Sequence, residues 1–165
     1  MGNTYAYTFE DNLYINLTNR CTNDCVFCVR RNQDGMGDGN VLWLDQEPSV
    51  EEVIAQMGED LSSYRQVVFC GFGEPTIRLK ELKEIAKYAK SKGATTRLDT
   101  NGLANLYFGR DIVPELVGLI DVVSISLNAP DAEQYDSICL PEFDNAYEGM
   151  LRFAKQCVAL LPKVI

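Results

Sequence analysis

The chain has 165 residues, 24 acidic against 15 basic for a net charge of −9, and no histidine. The length suits one domain with its own core, and the negative balance lacks the positive footprint of a nucleic-acid binder, leaving only a local patch at Arg20, Arg30 and Arg31. Without histidine, Cys–His and Ser–His catalysis within the chain and every zinc site that needs an imidazole are excluded.

In chain order, residues 14–17 read as a short strand with 5–8 as its lead-in, and three cysteines follow at once. Residues 32–40 are glycine-rich and polar, a mobile loop by composition. Ser49 with Glu52 three residues on predicts a capped helix start, and Val50, Val53, Ile54 and Met57 supply its apolar stripe. Residues 66–70 predict a strand that is apolar throughout, as where both sheet faces are covered. Leu79, Leu82, Ile85, Ala86 and Ala89 recur at helical spacing, and Gly93 is placed to end that helix.

Residues 95–98 predict a third strand, Pro114 the first turn of a further helix, and 121–127 a fourth strand. Asp131 followed by Gln134 marks another capped helix. Ala146, Met150, Phe153, Ala154, Cys157 and Val158 form the stripe of a last one, and 162–165 open a fifth strand. Strands alternating with helices imply an α/β fold with a parallel sheet. No repeat or linker divides the chain, so a single domain over 1–165 is expected.

No run approaches the roughly 20 apolar residues of a membrane span. Residues 1–11 lack the basic-then-apolar order of a secretory signal. A cytoplasmic protein without membrane association is expected, its six cysteines reduced.

Cys21, Cys25 and Cys28 place three thiols within eight residues, directly after a strand. Closely spaced cysteines of this kind hold iron–sulfur clusters, and three ligands on a four-iron cube leave one iron open to a substrate or cofactor. A zinc site completed by Cys70 or Cys139, buried structural cysteines, and a regulatory disulfide are the competing readings. Cys70, Cys139 and Cys157 are otherwise expected to be buried thiols.

This three–two cysteine spacing after the first strand resembles the signature of the radical S-adenosylmethionine (SAM) superfamily, as does Phe27 just before the last cysteine. Residues 70–76, Cys-Gly-Phe-Gly-Glu-Pro-Thr, resemble the family's Gly-Gly-Glu-Pro segment, with Phe72 standing where a glycine is usual. Asp99-Thr100-Asn101-Gly102 and the strand carrying Ser126 and Asn128 match in order as well. The stretches 69–76, 100–111 and 126–131 resemble the group linked to TatD-type metal-dependent hydrolases.

The resemblance implies a partial (β/α) barrel with parallel strands. Such cores usually have six βα units, so the chain is expected to be truncated after the fourth, lacking the C-terminal end. It implies a [4Fe–4S] cluster on Cys21, Cys25 and Cys28, and SAM bound by Phe27, Gly71, Gly73, Glu74, Asp99, Asn101, Ser126 and Asn128. The activity implied is reductive cleavage of SAM to a 5′-deoxyadenosyl radical that abstracts hydrogen from a substrate, small molecule or protein. An external electron donor and association with a TatD-type hydrolase are the partners implied; a non-catalytic iron–sulfur electron-transfer module and an incomplete, partner-dependent enzyme are the alternatives.

The residue types suit these roles. Gly71 and Gly73 allow backbone to approach a ligand closely, and Pro75 biases Glu74 toward an extended conformation. A carboxylate there can accept charge-assisted hydrogen bonds from an ammonium group. Asp99, Asn101, Ser126 and Asn128 serve equally well as turn residues or helix caps.

Overall fold

A computed structural model describes residues 3–36 and 39–165. Strand β1 (Ala6–Phe9) runs antiparallel to β2 (Asn12–Ile15), so the lead-in is a full strand rather than an approach to one. β2 closes two residues earlier than the sequence predicts. Past Ile15 the backbone turns to other partners: the Asn16 N–H donates to the Tyr5 carbonyl, and the Leu17 carbonyl accepts from Arg78 Nη1.

The cysteine loop follows, then a 3-10 turn over Val29–Arg31 and a two-residue hairpin of β3 (Gly35–Met36) and β4 (Asn40–Val41). The stretch predicted as a mobile loop therefore carries pairing; its residues 37 and 38 lie outside the described ones. Helix α1 (Val50–Met57) begins at the predicted capping box: Ser49 Oγ accepts from the Glu52 N–H at 3.2 Å, and Glu52 Oε2 accepts from the Ser49 N–H at 2.8 Å.

β5 (Gln66–Phe69), α2 (Leu79–Ser91), β6 (Thr96–Thr100), α3 (Ala104–Phe108), β7 (Val122–Ile125), α4 (Ala132–Cys139), α5 (Ala146–Leu160) and β8 (Lys163–Val164) complete the order. Pro114 does not open an α-helix. It sits in a 3-10 turn, Val113–Leu116, while the helix of that connection is α3, stopped by Gly109 in the left-handed region. The proline fixes its own φ, but Val117 is extended and Gly118 has φ +78°, so the turn cannot propagate.

The strands form an open six-stranded sheet in the order β1-β2-β5-β6-β7-β8, parallel from β2 onward. The α/β class with a parallel sheet, consistent with a partial barrel, is therefore observed. Leu13, Ile15, Val67, Phe69, Leu98 and Val123 point to one face and are buried against the helices by Val53, Leu82, Ile85 and Phe153. Side chains alternate along a strand, so Tyr14, Val68 and Arg97, which sit opposite one another across β2, β5 and β6, face the other way. That second face, the one that would be inner in a barrel, carries polar groups such as Arg97 and Asp99. The C-terminal ends of β5, β6 and β7 lie side by side, where parallel α/β folds gather their ligands.

Candidate cofactor site at the strand ends

The cysteine loop is pinned from both flanks. On one side the Glu74 N–H donates to the Arg20 carbonyl at 2.8 Å, laying residues 71–74 against the chain that enters the loop. Gly73 is required there: a Cβ would collide with the Thr18 carbonyl oxygen and lie 2.5 Å from that of Arg20. Gly71 holds φ +152° with Asn16 packed where its Cβ would stand. Phe72, between them, is buried and meets Trp43 edge-on at 5.1 Å, so the side chain that replaces the usual glycine holds down the segment following the β3–β4 hairpin.

On the other side the Asp24 N–H donates to the Cys139 carbonyl at 3.0 Å and the Val26 N–H to that of Ile138 at 2.9 Å. Asn23 and Pro141 form an antiparallel bridge. Leu140, at φ +46°, turns the end of α4 so that it can run alongside the loop. Asn23 Nδ2 also donates to the Tyr135 hydroxyl at 3.1 Å.

Cys21, Cys25 and Cys28 are each half-buried free thiols. Burial pushes the Cys21 thiol up. It pushes Cys25 up to about 12, with Cys139 beside it adding to the effect. Phe27 and its neighbours Val26 and Val29 are 52%, 54% and 45% exposed, an apolar rim on the loop. Among the described residues no three Cys, Asp or Glu side chains are close enough to share one metal ion. A four-iron cube spreads its ligand sulfurs more widely than one ion does, and cysteine thiolates are the ligands such clusters take. The donor set and the loop fit a cluster; a preassembled cage is not what carries the fit.

Glu74 lies 5% exposed at the centre of the site. Its Oε1 accepts from the Thr76 N–H at 3.1 Å, the Thr76 hydroxyl at 2.6 Å and the Thr100 hydroxyl at 2.7 Å. Its Oε2 accepts from the Asn101 N–H at 2.8 Å. Burial pushes its carboxyl up despite these donors. Asn101 Nδ2 donates to Thr22 Oγ1 at 2.9 Å and lies 3.8 Å from Cys21 Sγ. Asn128 Nδ2 reaches Cys139 Sγ at 3.9 Å, on the far side of the cysteine loop.

Asp99 stands apart on the inner face. It pairs with Arg97 at 2.6 Å, and burial pushes its carboxyl up. Ser126 is exposed and holds the edge through its N–H to the Thr100 carbonyl. Cys139 and Cys157 are buried as expected. Cys70 is only half-buried, because β5 ends where a ≈130 Å³ apolar cavity opens among Tyr7, Phe9, Tyr14 and Phe72.

Several residues of the site carry no local signal. Glu47 accepts from Arg20 and Thr18 at 2.6 Å and pairs with Arg78 at 3.2 Å, tying the loop's entrance to α2. Asn19 exchanges hydrogen bonds with the Leu44 backbone. The cysteine spacing was the only feature that could have drawn attention to Thr22 and Asn23.

Residues 15–159 match the Radical SAM superfamily, and the chain belongs to that family. It is 38% identical over 89 residues to Fe-coproporphyrin III synthase of Methanosarcina barkeri, covering 53% of this chain and 20% of that one. It is 27% identical over 149 residues to 7-carboxy-7-deazaguanine synthase of Methanocaldococcus jannaschii, covering 82% and 54%. A solved structure of TYW1 with a lysine–pyruvate adduct bound shares the fold at TM-score 0.61 and 19% identity, over 93% of this chain and 52% of that one. The chain thus spans between a fifth and about half of the curated relatives named. Family members use a [4Fe–4S] cluster and SAM, and these homologues are enzymes of varied substrate. Among the described residues no helix is long and apolar enough to cross a membrane.

Proposed function

We propose that the chain is a radical SAM core domain over residues 1–165, with Cys21, Cys25 and Cys28 holding a [4Fe–4S] cluster. The observation that carries this is the placement of three half-buried thiols on one loop, backed by residues 71–74 at the C-terminal ends of parallel strands. A bound cluster and SAM supply one-electron cleavage of SAM to methionine and a 5′-deoxyadenosyl radical, which takes hydrogen from the substrate.

This chain's own residues bind and orient. Phe27 offers an exposed apolar ring to the SAM base. Gly71 and Gly73 let their turn pack against Asn16 and the Thr18 and Arg20 carbonyls, and so hold its backbone beside SAM. The Glu74 carboxylate, buried among neutral donors, puts negative charge beside a cationic cofactor. Ser126 and Asn128 line the rim, and Asp99 faces the inner side, where substrate would enter. An external electron donor is required. The six free thiols favour a reducing compartment such as the cytoplasm. The TatD-linked subgroup, and association with a TatD-type hydrolase, rest on the stretches 69–76, 100–111 and 126–131.

The test is anaerobic reconstitution with iron and sulfide, reduction, and electron paramagnetic resonance with and without SAM. A [4Fe–4S]⁺ signal that changes on adding SAM is expected. A signal indifferent to SAM favours electron transfer alone, and zinc without iron refutes the reading. Alanine at any one of Cys21, Cys25 or Cys28 should abolish SAM cleavage; a single-cysteine variant that still cleaves SAM would falsify the assignment.

A further inference from the structure

The side chain of Asn101 is fully committed inside the protein. Its Oδ1 accepts from the Leu103 N–H at 3.0 Å, which fixes the amide's orientation and leaves Nδ2 as the group facing the cysteine loop. Nδ2 donates to Thr22 Oγ1 at 2.9 Å and lies 3.8 Å from Cys21 Sγ, within reach of a sulfur acceptor. The Asn101 N–H in turn donates to Glu74 Oε2 at 2.8 Å, and Glu74 Oε1 is held by Thr76 and Thr100. Thr22 is buried, and its carbonyl accepts from the Glu142 N–H at 2.9 Å, so neither end of this chain of bonds is slack.

We infer that Asn101 is a positioning residue for the cluster: it holds Cys21 in place and donates an N–H···S hydrogen bond to its sulfur, raising the cluster's reduction potential. The inference rests on the cysteine assignment above and gives Asn101 a role different from direct SAM contact. Reduction adds negative charge to the cluster and its ligand sulfurs. A donor aimed at one of those sulfurs therefore stabilises the reduced form more than the oxidised one. Glu74 contributes by fixing the Asn101 backbone.

The experiment is a redox titration of the reconstituted protein without SAM, followed by electron paramagnetic resonance, for wild type, Asn101→Ala and Asn101→Asp. Both variants lose the donor. The aspartate keeps the acceptor for Leu103, so its turn can form even where alanine loosens the loop. The reduction equilibrium is expected to fall about tenfold in Asn101→Ala, a shift of about 59 mV to more negative potential for one electron. It should fall at least as far in Asn101→Asp. Thr22→Val, which removes the competing acceptor and leaves the amide to the sulfur, should not shift it downward.

A wild-type potential in Asn101→Ala or Asn101→Asp overturns the inference and leaves Asn101 an ordinary turn residue. Should Asn101→Ala bind no cluster, Asn101→Asp decides by the same reading. If the wild-type protein itself binds no cluster, the cysteine assignment is what fails.

Discussion

Strand β6 is fastened at each end by a carboxylate from a neighbouring segment, and the two fastenings are built differently. At its start Asp121 accepts from the Thr96 N–H at 2.9 Å and pairs with Lys90 at 2.7 Å. At its end Glu74 accepts from the Thr100 hydroxyl at 2.7 Å and the Asn101 N–H at 2.8 Å, and all four of its hydrogen bonds come from neutral donors. Burial works against both charges. The hydrogen bonds from Lys90 and Thr96 outweigh it at Asp121, whose carboxyl is lowered, whereas at Glu74 burial prevails and the carboxyl is raised. The end away from the site is thus a stability device. At the end facing the site, burial works against ionising the carboxyl.

The most disruptive way to break this comparison is Gly73→Ala, which strikes the site end alone. The added methyl meets the Thr18 and Arg20 carbonyls, and such overpacking costs about 1–3 kcal/mol. Thermal melts should register that loss, and iron–sulfur absorbance should show failed cluster loading. A variant that loads normally would mean the loop has slack that the close contact does not suggest.

Glu74→Gln and Asp121→Asn sharpen the contrast through pH. The glutamine turns an NH2 toward groups that donate, leaving buried donors unmatched at a cost of about 1–3 kcal/mol. Because the folded Glu74 carboxyl is raised above its ordinary 4.5, its contribution is complete below that value and declines as pH rises through the raised one. The wild type's advantage over Glu74→Gln should therefore shrink with rising pH. Asp121→Asn should cost up to about 1 kcal/mol, as for other partly exposed pairs. Asp121 is lowered from 3.8, so that cost should vanish as pH falls from 3.8 through the lowered value. Urea melts across a pH series measure both, and parallel trends would refute the contrast.

The smallest effect is expected at Ser49→Ala. It removes the capping box of α1 and should cost about 1 kcal/mol with no change in cluster loading. A loss of loading there would show that α1 is coupled to the site.

Features that depend on neighbours in sequence were legible. The capped starts of α1 and α4 and the stripe of α2 appear where Ser49, Asp131 and the leucines place them. The cysteines, the two glycines and Glu74 were visible as motifs. Their internal partners were not, because they come from distant segments: Tyr135 meets Asn23 across 112 positions, and Asn101 meets Thr22 across 79. The helix expected at Pro114 failed because the sequence rule addresses a helix's first turn and says nothing of what must follow. The two faces of the sheet could not be told apart, since Val68 and Phe69 are both apolar and both buried, and only the register and the packing of Phe69 in the main core separate them.

The antiparallel pairing of the cysteine loop with residues 138–141 also has a consequence for timing during synthesis. The thiols leave the ribosome before the backbone that frames them, which includes Ile138, Cys139 and the Glu142 N–H that reaches the Thr22 carbonyl. Closing a loop of that length is slow relative to local helix formation. The nascent chain therefore carries an unframed three-cysteine segment while more than a hundred further residues are added.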